Sequence, residues 1–551
     1  MTDPITIAVL QNRLNAIAEE MGEAMLRTAY SQILNSTRDF SIALIDAQCR
    51  LVAQADHIPV HVGAMPWAAK ALAARFPNPA PNDVYVLNDP YRGGSHLPDL
   101  TVFVPVFAPG TTGQRLMFWS VVRAHHSDVG GATHGAYNPA ATEIWHEGLR
   151  LPPMRLTENG VLREDILEML ALNVRHPRDF RGDLAAQIGS ARLGEQRLNA
   201  VIAEFGAETL AESVEAMLDA AERYAREIVA GWEDGEYLGE AVLDDDGFGK
   251  TDIVIRARVT KTGSDVTVDL TESDPQVTGF INSSHANTMS AVTMAFAFLL
   301  DPGITKNQGA LRPLHVKLKE GTIVWAREGA PVTMCTSHCS NEVIEAIIVA
   351  LSKACPERAM GGWGRRLRIA LNGVDPRINP PHGRRFIWHM FQARPGGGGS
   401  VAGDGYSTIG EWHSAGGIKF GSIEVAETRF PLVFETHEYR PGSAGDGQYR
   451  GGYGGDMRLR IEAEGTTMAN TAGEGTVHGA RGMVGGKDGA PHDYTLLAPN
   501  ALPRKLKSKE INVPVPSGSV IHVLSGGGGG WGDPAKRDQA ARDADAREGL
   551  A

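Results

Sequence analysis

A multidomain α+β chain is the fold class this sequence predicts, and three observations predict it. Its 551 residues suffice for about three domains with ample core. Apolar residues recur at helical spacing over residues 5–29 and again over much of 164–230. From about Gly235 the texture changes to strand-like alternation, and from Gly373 onward it is β- and glycine-rich. We therefore expect an N-terminal mixed α/β domain over residues 1–235 that carries the candidate site and has long helices. An α+β middle domain over 236–372, a glycine-rich β domain over 373–534 and a flexible tail over 535–551 should follow.

Composition excludes several function classes. A formal net charge of −12 and the lack of any basic block argue against nucleic-acid binding. Four cysteines, Cys49, Cys335, Cys339 and Cys355, are too few for a disulfide framework and read as reduced thiols of a cytoplasmic protein. The N-terminus Met1-Thr2-Asp3-Pro4 carries no signal-peptide core, and the apolar run 289–300 is too short to span a bilayer.

Taken in order, the chain opens with an amphipathic helix striped by Leu10, Leu14, Ile17, Met21 and Met25. Asp3 is its expected cap, with Pro4 in the first turn. Residues 41–45 and 50–53 read as two strands joined by a turn at 46–49, and Asp39 stands at the mouth of that hairpin. His57 and His61 flank Pro59 in an expected loop, followed by a helix over 64–76 and a strand over 83–87.

The stretch 88–131 organises the rest. It begins Asn88-Asp89-Pro90-Tyr91-Arg92-Gly93-Gly94-Ser95-His96-Leu97-Pro98-Asp99 and closes with His125-His126-Ser127-Asp128-Val129-Gly130-Gly131. Between them lie two Val-, Phe- and Trp-rich runs, 100–107 and 116–122, separated by the turn sequence Pro109-Gly110-Thr111-Thr112-Gly113. Paired as an antiparallel hairpin, facing residues have numbers that sum to about 224, so Asp99 lies opposite His125. His96 and Asp128 sit just beyond the same end. Two imidazoles and two carboxylates at one mouth suit a divalent transition metal. Asp39 is a candidate further ligand. The plainer alternative is that these groups cap turns at strand ends.

Beyond Gly131 the chain reads as a loop carrying His134 and His146, the latter expected at the surface. Helices over 164–230 should break near His176-Pro177 and Phe205-Gly206. Gly249-Lys250-Thr251 resembles the tail of a phosphate loop. It lacks the first glycine, because Asp244 occupies that place, and a strand-like run follows, so it is rejected as a nucleotide site. Cys335-Thr336-Ser337-His338-Cys339 is too sparse for structural zinc. The polar loops before the helices near 289 and 341 could receive a carboxylate or phosphate.

Taken together, the 88–131 motifs resemble the hydantoinase B / 5-oxoprolinase family. Glu147-Gly148-Leu149-Arg150-Leu151-Pro152-Pro153, Arg440-Pro441-Gly442-Ser443-Ala444-Gly445, Tyr449-Arg450-Gly451-Gly452 and the 526–534 terminus carry the resemblance further, over nearly the whole chain. It implies a subunit of an ATP-dependent two-component enzyme. One branch of the family opens cyclic amides such as hydantoins, 5-oxoproline and lactams; a sister branch carboxylates ketones such as acetone and acetophenone. The partner, of hydantoinase A type, would bind ATP and Mg²⁺ and phosphorylate the substrate, in a heterotetramer or larger assembly. This chain would hold a divalent metal, zinc first, with manganese or iron as alternatives. The family's metal positions map onto His96, Asp99 and His125, with Asp39 and Asp128 as further ligands. Asp128 and His126 are the expected catalytic or supporting groups. Which of His125 and His126 faces the metal is open, since neighbours on a strand point to opposite sides. Ring-opening hydrolysis is the leading expectation, ketone carboxylation the second, and a scaffold with a structural metal the third.

Overall fold

The computed structural model describes residues 2–550 apart from Asp56, Thr111 and Thr112. Helix α1 (Pro4–Thr28) begins as expected: the Asp3 carboxylate accepts the Ile5 and Thr6 N–H groups, and its five-residue apolar stripe is buried. After the short α2 (Gln32–Asn35) come strands β1 (Phe40–Asp46) and β2 (Leu51–Ala55), then helix α3 (Pro59–Arg75). Strands β3 (Val84–Leu87), β4 (Asp99–Gly110), β5 (Gly113–His125), β6 (Met154–Glu158) and β7 (Val161–Leu162) complete an antiparallel sheet of order β2-β1-β5-β4-β3-β6-β7.

The β4–β5 hairpin has the expected register. Asp99 pairs with His125, and the numbers sum to 224 as far as Val106–Phe118, where a bulge shifts the outer part by one. Of the expected turn, Thr111 and Thr112 lie outside the described residues. Helix α3 covers one face of the sheet, against Ala43, Ile45, Tyr85, Phe103, Trp119 and Val121. Helix α1 and the long helix over residues 177–205 cover the other, against Ile42, Leu44, Val102, Val104, Phe118 and Val122. Both faces are therefore dry, which is why these strands read as nearly continuous apolar runs.

Helices α4 (Glu164–Leu172), α5 (Pro177–Phe205) and α6 (Ala207–Ala230) break where the sequence indicated. The next sheet, β11-β10-β9-β8, holds β8 (Gly235–Asp245), β9 (Thr251–Thr262), β10 (Asp265–Asp269) and β11 (Leu314–Lys317). Thr251 opens β9, so no helix follows Gly249-Lys250. Helices α7 (His285–Leu299) and α8 (Cys339–Leu351) pack against each other, α7 on α3 and α8 on β8. One continuous apolar cluster runs from Leu10 through these helices to Trp412.

The C-terminal part builds two further sheets. Strands β12 (Ile369–Asp375), β13 (Arg384–His389), β16 (Thr466–Ala472) and β19 (Lys509–Pro516) form β13-β12-β16-β19. Strands β14 (Leu432–Tyr439), β15 (Gly455–Ile461), β17 (Asp493–Leu497), β18 (Arg504–Lys505) and β20 (Val520–Leu524) form β14-β15-β20-β17-β18. The two sheets share a separate core that includes Trp388, Leu459 and Ile521. Helix α9 (Ile423–Arg429) precedes β14.

The tail differs from the expectation of flexibility. Residues Gln539–Arg547 form helix α10, held by the Asp545 carboxylate between Arg450 (3.1 Å) and Arg537 (2.7 Å). Its Ala- and charge-rich composition has helix propensity, and the ion pair to Arg450, 95 residues back along the chain, supplies the anchor that composition does not reveal. Among the described residues no helix is long and apolar enough to cross a membrane.

Candidate functional site

The site lies at the open end of the β4–β5 hairpin, on the face covered by α3. Strand alternation places Thr101 and Asp99 of β4 and Arg123 and His125 of β5 on this face. A tight loop brings His96 back to it. Within that loop Gly93 takes a left-handed φ of 91°, and a Cβ on Gly94 would meet the Asn88 carbonyl oxygen at 2.3 Å. The Asn88 amide group holds the loop shut by donating to the Leu97 and Leu149 carbonyls. From the far side, Ser284, the cap of α7, donates to the Ser95 carbonyl.

His96, Asp99 and His125 converge, all fully buried. His96 Nε2 is 2.8 Å from Asp99 Oδ1, His125 Nδ1 is 3.1 Å from the same oxygen, and the two nitrogens are 3.2 Å apart. Each imidazole is pinned through its other nitrogen. His96 Nδ1–H donates to the Thr333 carbonyl at 2.5 Å, and His125 Nε2 lies 3.0 Å from the Tyr137 hydroxyl. The Thr333 carbonyl can only accept, so neutral His96 presents Nε2 inward as a lone-pair donor; the Tyr137 hydroxyl can donate or accept and so orients the His125 ring. The second Asp99 oxygen accepts from Ser95 Oγ at 2.6 Å.

Electrostatics favour a cation at this point. Burial alone would raise the Asp99 carboxyl, but His61, His96 and His125 outweigh it and hold it well below the usual carboxylate range. Burial pushes His125 down to about 3 and His61 down to about 4, so both are neutral imidazoles at neutral pH. His96 is opposed by burial too, yet the Asp99 charge raises it overall.

The remaining expected residues divide. Asp39, at the entrance to β1, is buried beside the trio: its Oδ1 is 3.7 Å from His61 Nε2, and burial raises its carboxyl. It stands outside the compact set of ligand atoms formed by the trio. His126 is corrected as a catalytic group. It faces α5 on the opposite side of the sheet, 2.8 Å from Gln187 Oε1 and against Phe180, because neighbouring residues on an extended chain point apart. Asp128 is corrected both as ligand and as catalytic group. Its carboxylate is taken by Arg175, from the guanidinium at 2.9 Å and the backbone N–H at 2.7 Å, after the chain has turned away from the sheet. His146 is half exposed, as expected, against Glu143.

Several residues escaped the sequence reading. His61 lies in the first turn of α3, not in a loop, and places Nε2 3.4 Å from Asp99 Oδ2. Pro59 as the first helical residue was the available signal. Arg123 is fully buried below and donates to the His61 carbonyl. Tyr137, Arg368 and His389 close the site from loops and from the C-terminal sheets, and no local pattern announces them. At the α7 and α8 N-termini, raised above as sites that could receive an anion, polar side chains meet one another: Asn287 Nδ2 donates to Ser283 and Ser340.

Glu147 supports the trio at one remove. Its carboxylate accepts the Val332 and Thr333 N–H groups, both at 2.9 Å, and so fixes the Thr333 carbonyl that orients His96. Burial pushes this carboxyl up from 4.5 to about 7. In the metal-free chain the folded state therefore prefers the protonated acid more than the unfolded state does. That contribution is full below about pH 4.5 and is lost as the pH rises to about 7, a fall of about 3 kcal/mol. Denaturant titrations of the wild type across this window should show the fall, and Glu147→Gln, which cannot ionise, should flatten it by that amount. An unchanged slope in the variant would contradict the assignment.

Comparison with known proteins gives the family. The family model described as Hydantoinase B/oxoprolinase matches residues 3–534. Caprolactamase subunit beta of Pseudomonas jessenii is 34% identical over 563 aligned residues, covering 100% of this chain and 94% of the relative. The crystal structure of the ATP-dependent caprolactamase from that organism superposes with a TM-score of 0.92 at 32% identity, over 100% of this chain and 94% of that one. A nucleotide-free acetone carboxylase structure, at 21% identity and a TM-score of 0.89, covers 100% of this chain and 78% of its own, and shares the fold. With the match spanning all but the ends of the sequence, the chain belongs to the hydantoinase B/oxoprolinase family.

Proposed function

We propose that this chain is the ring-opening subunit of an ATP-dependent cyclic amidohydrolase, acting on a lactam, hydantoin or 5-oxoproline ring that an ATP-binding partner subunit has phosphorylated on oxygen. The caprolactamase "subunit beta" likeness supports a heteromeric assembly and a cyclic amide substrate. The observation that carries the chemistry is the triangle of His96 Nε2, Asp99 Oδ1 and His125 Nδ1, with edges of 2.8, 3.1 and 3.2 Å. Those edges suit one face of a coordination shell with bonds of about 2.1 Å, and two imidazoles plus one carboxylate are a donor set for zinc, manganese or iron. When bound there, a divalent cation supplies Lewis acidity that lowers the pKa of water and polarises oxygen.

The surrounding side chains handle protons. His61 Nε2 lies between two carboxylate oxygens, 3.4 Å from Asp99 and 3.7 Å from Asp39. It is neutral before reaction, and both carboxylates stabilise the imidazolium it becomes on taking a proton from the attacking water. Delivery of that proton to the ring nitrogen makes the amine the leaving group. The ring C–N bond then breaks in preference to the C–O bond to phosphate, and an acyl phosphate with a free amine results. A second water releases phosphate and the amino acid. Tyr137 and Thr333 hold the two imidazoles throughout, and the buried setting keeps bulk water out.

The test is a panel of lactams, hydantoins and ketones, given to the chain co-expressed with its ATP-binding partner in the presence of carbon-labelled bicarbonate. The expected result is ATP-coupled appearance of free amine and carboxylate with no label in product. Label fixed into a ketone would replace this reading with a carboxylase. Ring opening that proceeds undiminished after metal removal would leave the site a scaffold.

A further inference from the structure

Beside the trio lies a second cluster that this chemistry does not yet use. Arg366 and Arg368 come from the segment that runs into β12, where Arg365 and Leu367 turn the other way, to Glu342 and Glu345 and to the C-terminal core. Arg394 comes from beyond β13. Their guanidinium carbons lie 5.3, 5.6 and 5.7 Å from the centre of the Phe391 ring, and all three side chains are at least 96% buried.

Three buried cations share few anions. Glu411 accepts from Arg366 Nη1 at 3.1 Å and from Arg394 Nη1 at 3.2 Å. Arg368 donates Nη2 to a neutral acceptor, His389 Nδ1, at 2.8 Å, and its guanidinium stacks 3.5 Å above the Tyr137 ring. Asp39 also faces the group, but it is shared with His61. Arg366 Nε, Arg368 Nε, both Nε and Nη2 of Arg394, and His413 Nδ1 are buried without a hydrogen-bond partner among the described residues. Planar guanidinium forks with spare donors match the tetrahedral oxygens of a phosphoryl group. Tyr137 links the cluster to the trio, since the ring that carries Arg368 also brings its hydroxyl to His125 at 3.0 Å.

We propose that Arg366, Arg368 and Arg394 form the seat for the phosphoryl group of the activated substrate, anchoring it so that the ring carbon faces His61 and the trio. This rests on the reading that the substrate arrives phosphorylated. The seat fixes the phosphoryl group, and with it the ring carbon, while proton delivery to the ring nitrogen decides that the C–N bond breaks first; its donors then stabilise phosphate as the second water releases it.

The probe is inorganic phosphate, titrated into the full chain after metal removal and followed by phosphorus NMR line broadening. Saturable binding in the millimolar range is expected in the wild type. Arg394→Gln and Arg368→Gln should each weaken it by at least about tenfold. Arg394→Lys keeps the charge and most of the packing but loses the fork, and should weaken binding in the same direction, which covers the case in which a Gln variant does not fold. No saturation in the wild type, or unchanged affinity in folded variants, would overturn the proposal. Acetate competing as well as phosphate would reassign the seat to the carboxylate of the opened ring. Bicarbonate fixation in the activity panel would remove the hydrolase reading yet leave phosphate binding intact, so the two failures are separable.

Discussion

Asp99→Ala should strip the chain of its divalent metal and lower ring-opening turnover by about a thousandfold or more, equivalent to about 4 kcal/mol of lost transition-state stabilisation. Asp99 Oδ1 bridges both inward imidazole nitrogens, 2.8 Å from one and 3.1 Å from the other. It is also the only member of the trio that brings a full negative charge. Its other oxygen carries the Ser95 bond and faces His61, so the same change removes a carboxylate that would stabilise the protonated His61. Burial keeps His125 and His61 neutral at neutral pH, but the buried Arg123 and His96 both lose the Asp99 charge that supports their protonated forms. Circular dichroism of the variant, and the isosteric Asp99→Asn beside it, separate loss of the site from loss of the fold. Metal stoichiometry of the purified variant and its turnover with the partner subunit are the readouts. Full metal content together with full turnover would dismiss the trio as the centre.

Gly398→Ala should unfold or severely destabilise the C-terminal part, by about 4 kcal/mol or more. The glycines of 396–399, 451–455 and 526–530 lie backbone against backbone. Gly396 N–H donates to the Gly526 carbonyl, Gly399 N–H to Gly529, Gly528 N–H to Gly452 and Gly452 N–H to Gly397, all within 2.8 to 3.0 Å. A methyl group on Gly398 would stand 1.8 Å from the Gly361 oxygen, and one on Gly528 would stand 1.9 Å from the Gly397 oxygen. No left-handed φ is involved at Gly398, so the cost is steric, with rigid backbone on both sides. Gly189 of α5 is the control. It is exposed, with open space around its added methyl, and Gly189→Ala should stabilise the chain by up to about 1 kcal/mol. Thermal melting of the two variants is the measurement. A Gly398→Ala melt close to wild type would show that the layers slide apart freely, against this packing.

The glycine runs illustrate the limit of a sequence reading. Their positions mark turns or close approaches equally well, and only the folded chain reveals that they lie side by side. Likewise Asp128 and Asp99 carry the same His-x-x-Asp spacing, yet a single turn after His125 sends one to Arg175 and leaves the other at the trio. The α10 tail looked unstructured because its anchors, Arg450 and Asp404, are about 90 or more residues away along the chain.

What the sequence by itself determined is local. The Asp3 cap, the α1 stripe, the breaks at His176 and Gly206, and the β4–β5 register that sets Asp99 against His125 all follow from spacing and near-neighbour pairing. Strand alternation also required that His125 and His126 part company. The tertiary structure alone decided which face of the sheet holds Asp99 and His125, the one under α3, because that depends on which helix covers which face. It alone brought His61, Tyr137 and the three arginines to one place, from α3, a loop and the C-terminal sheets. Spacing along a chain encodes periodic local geometry, whereas convergence of distant segments is set by the burial of whole faces, which no short window of residues contains.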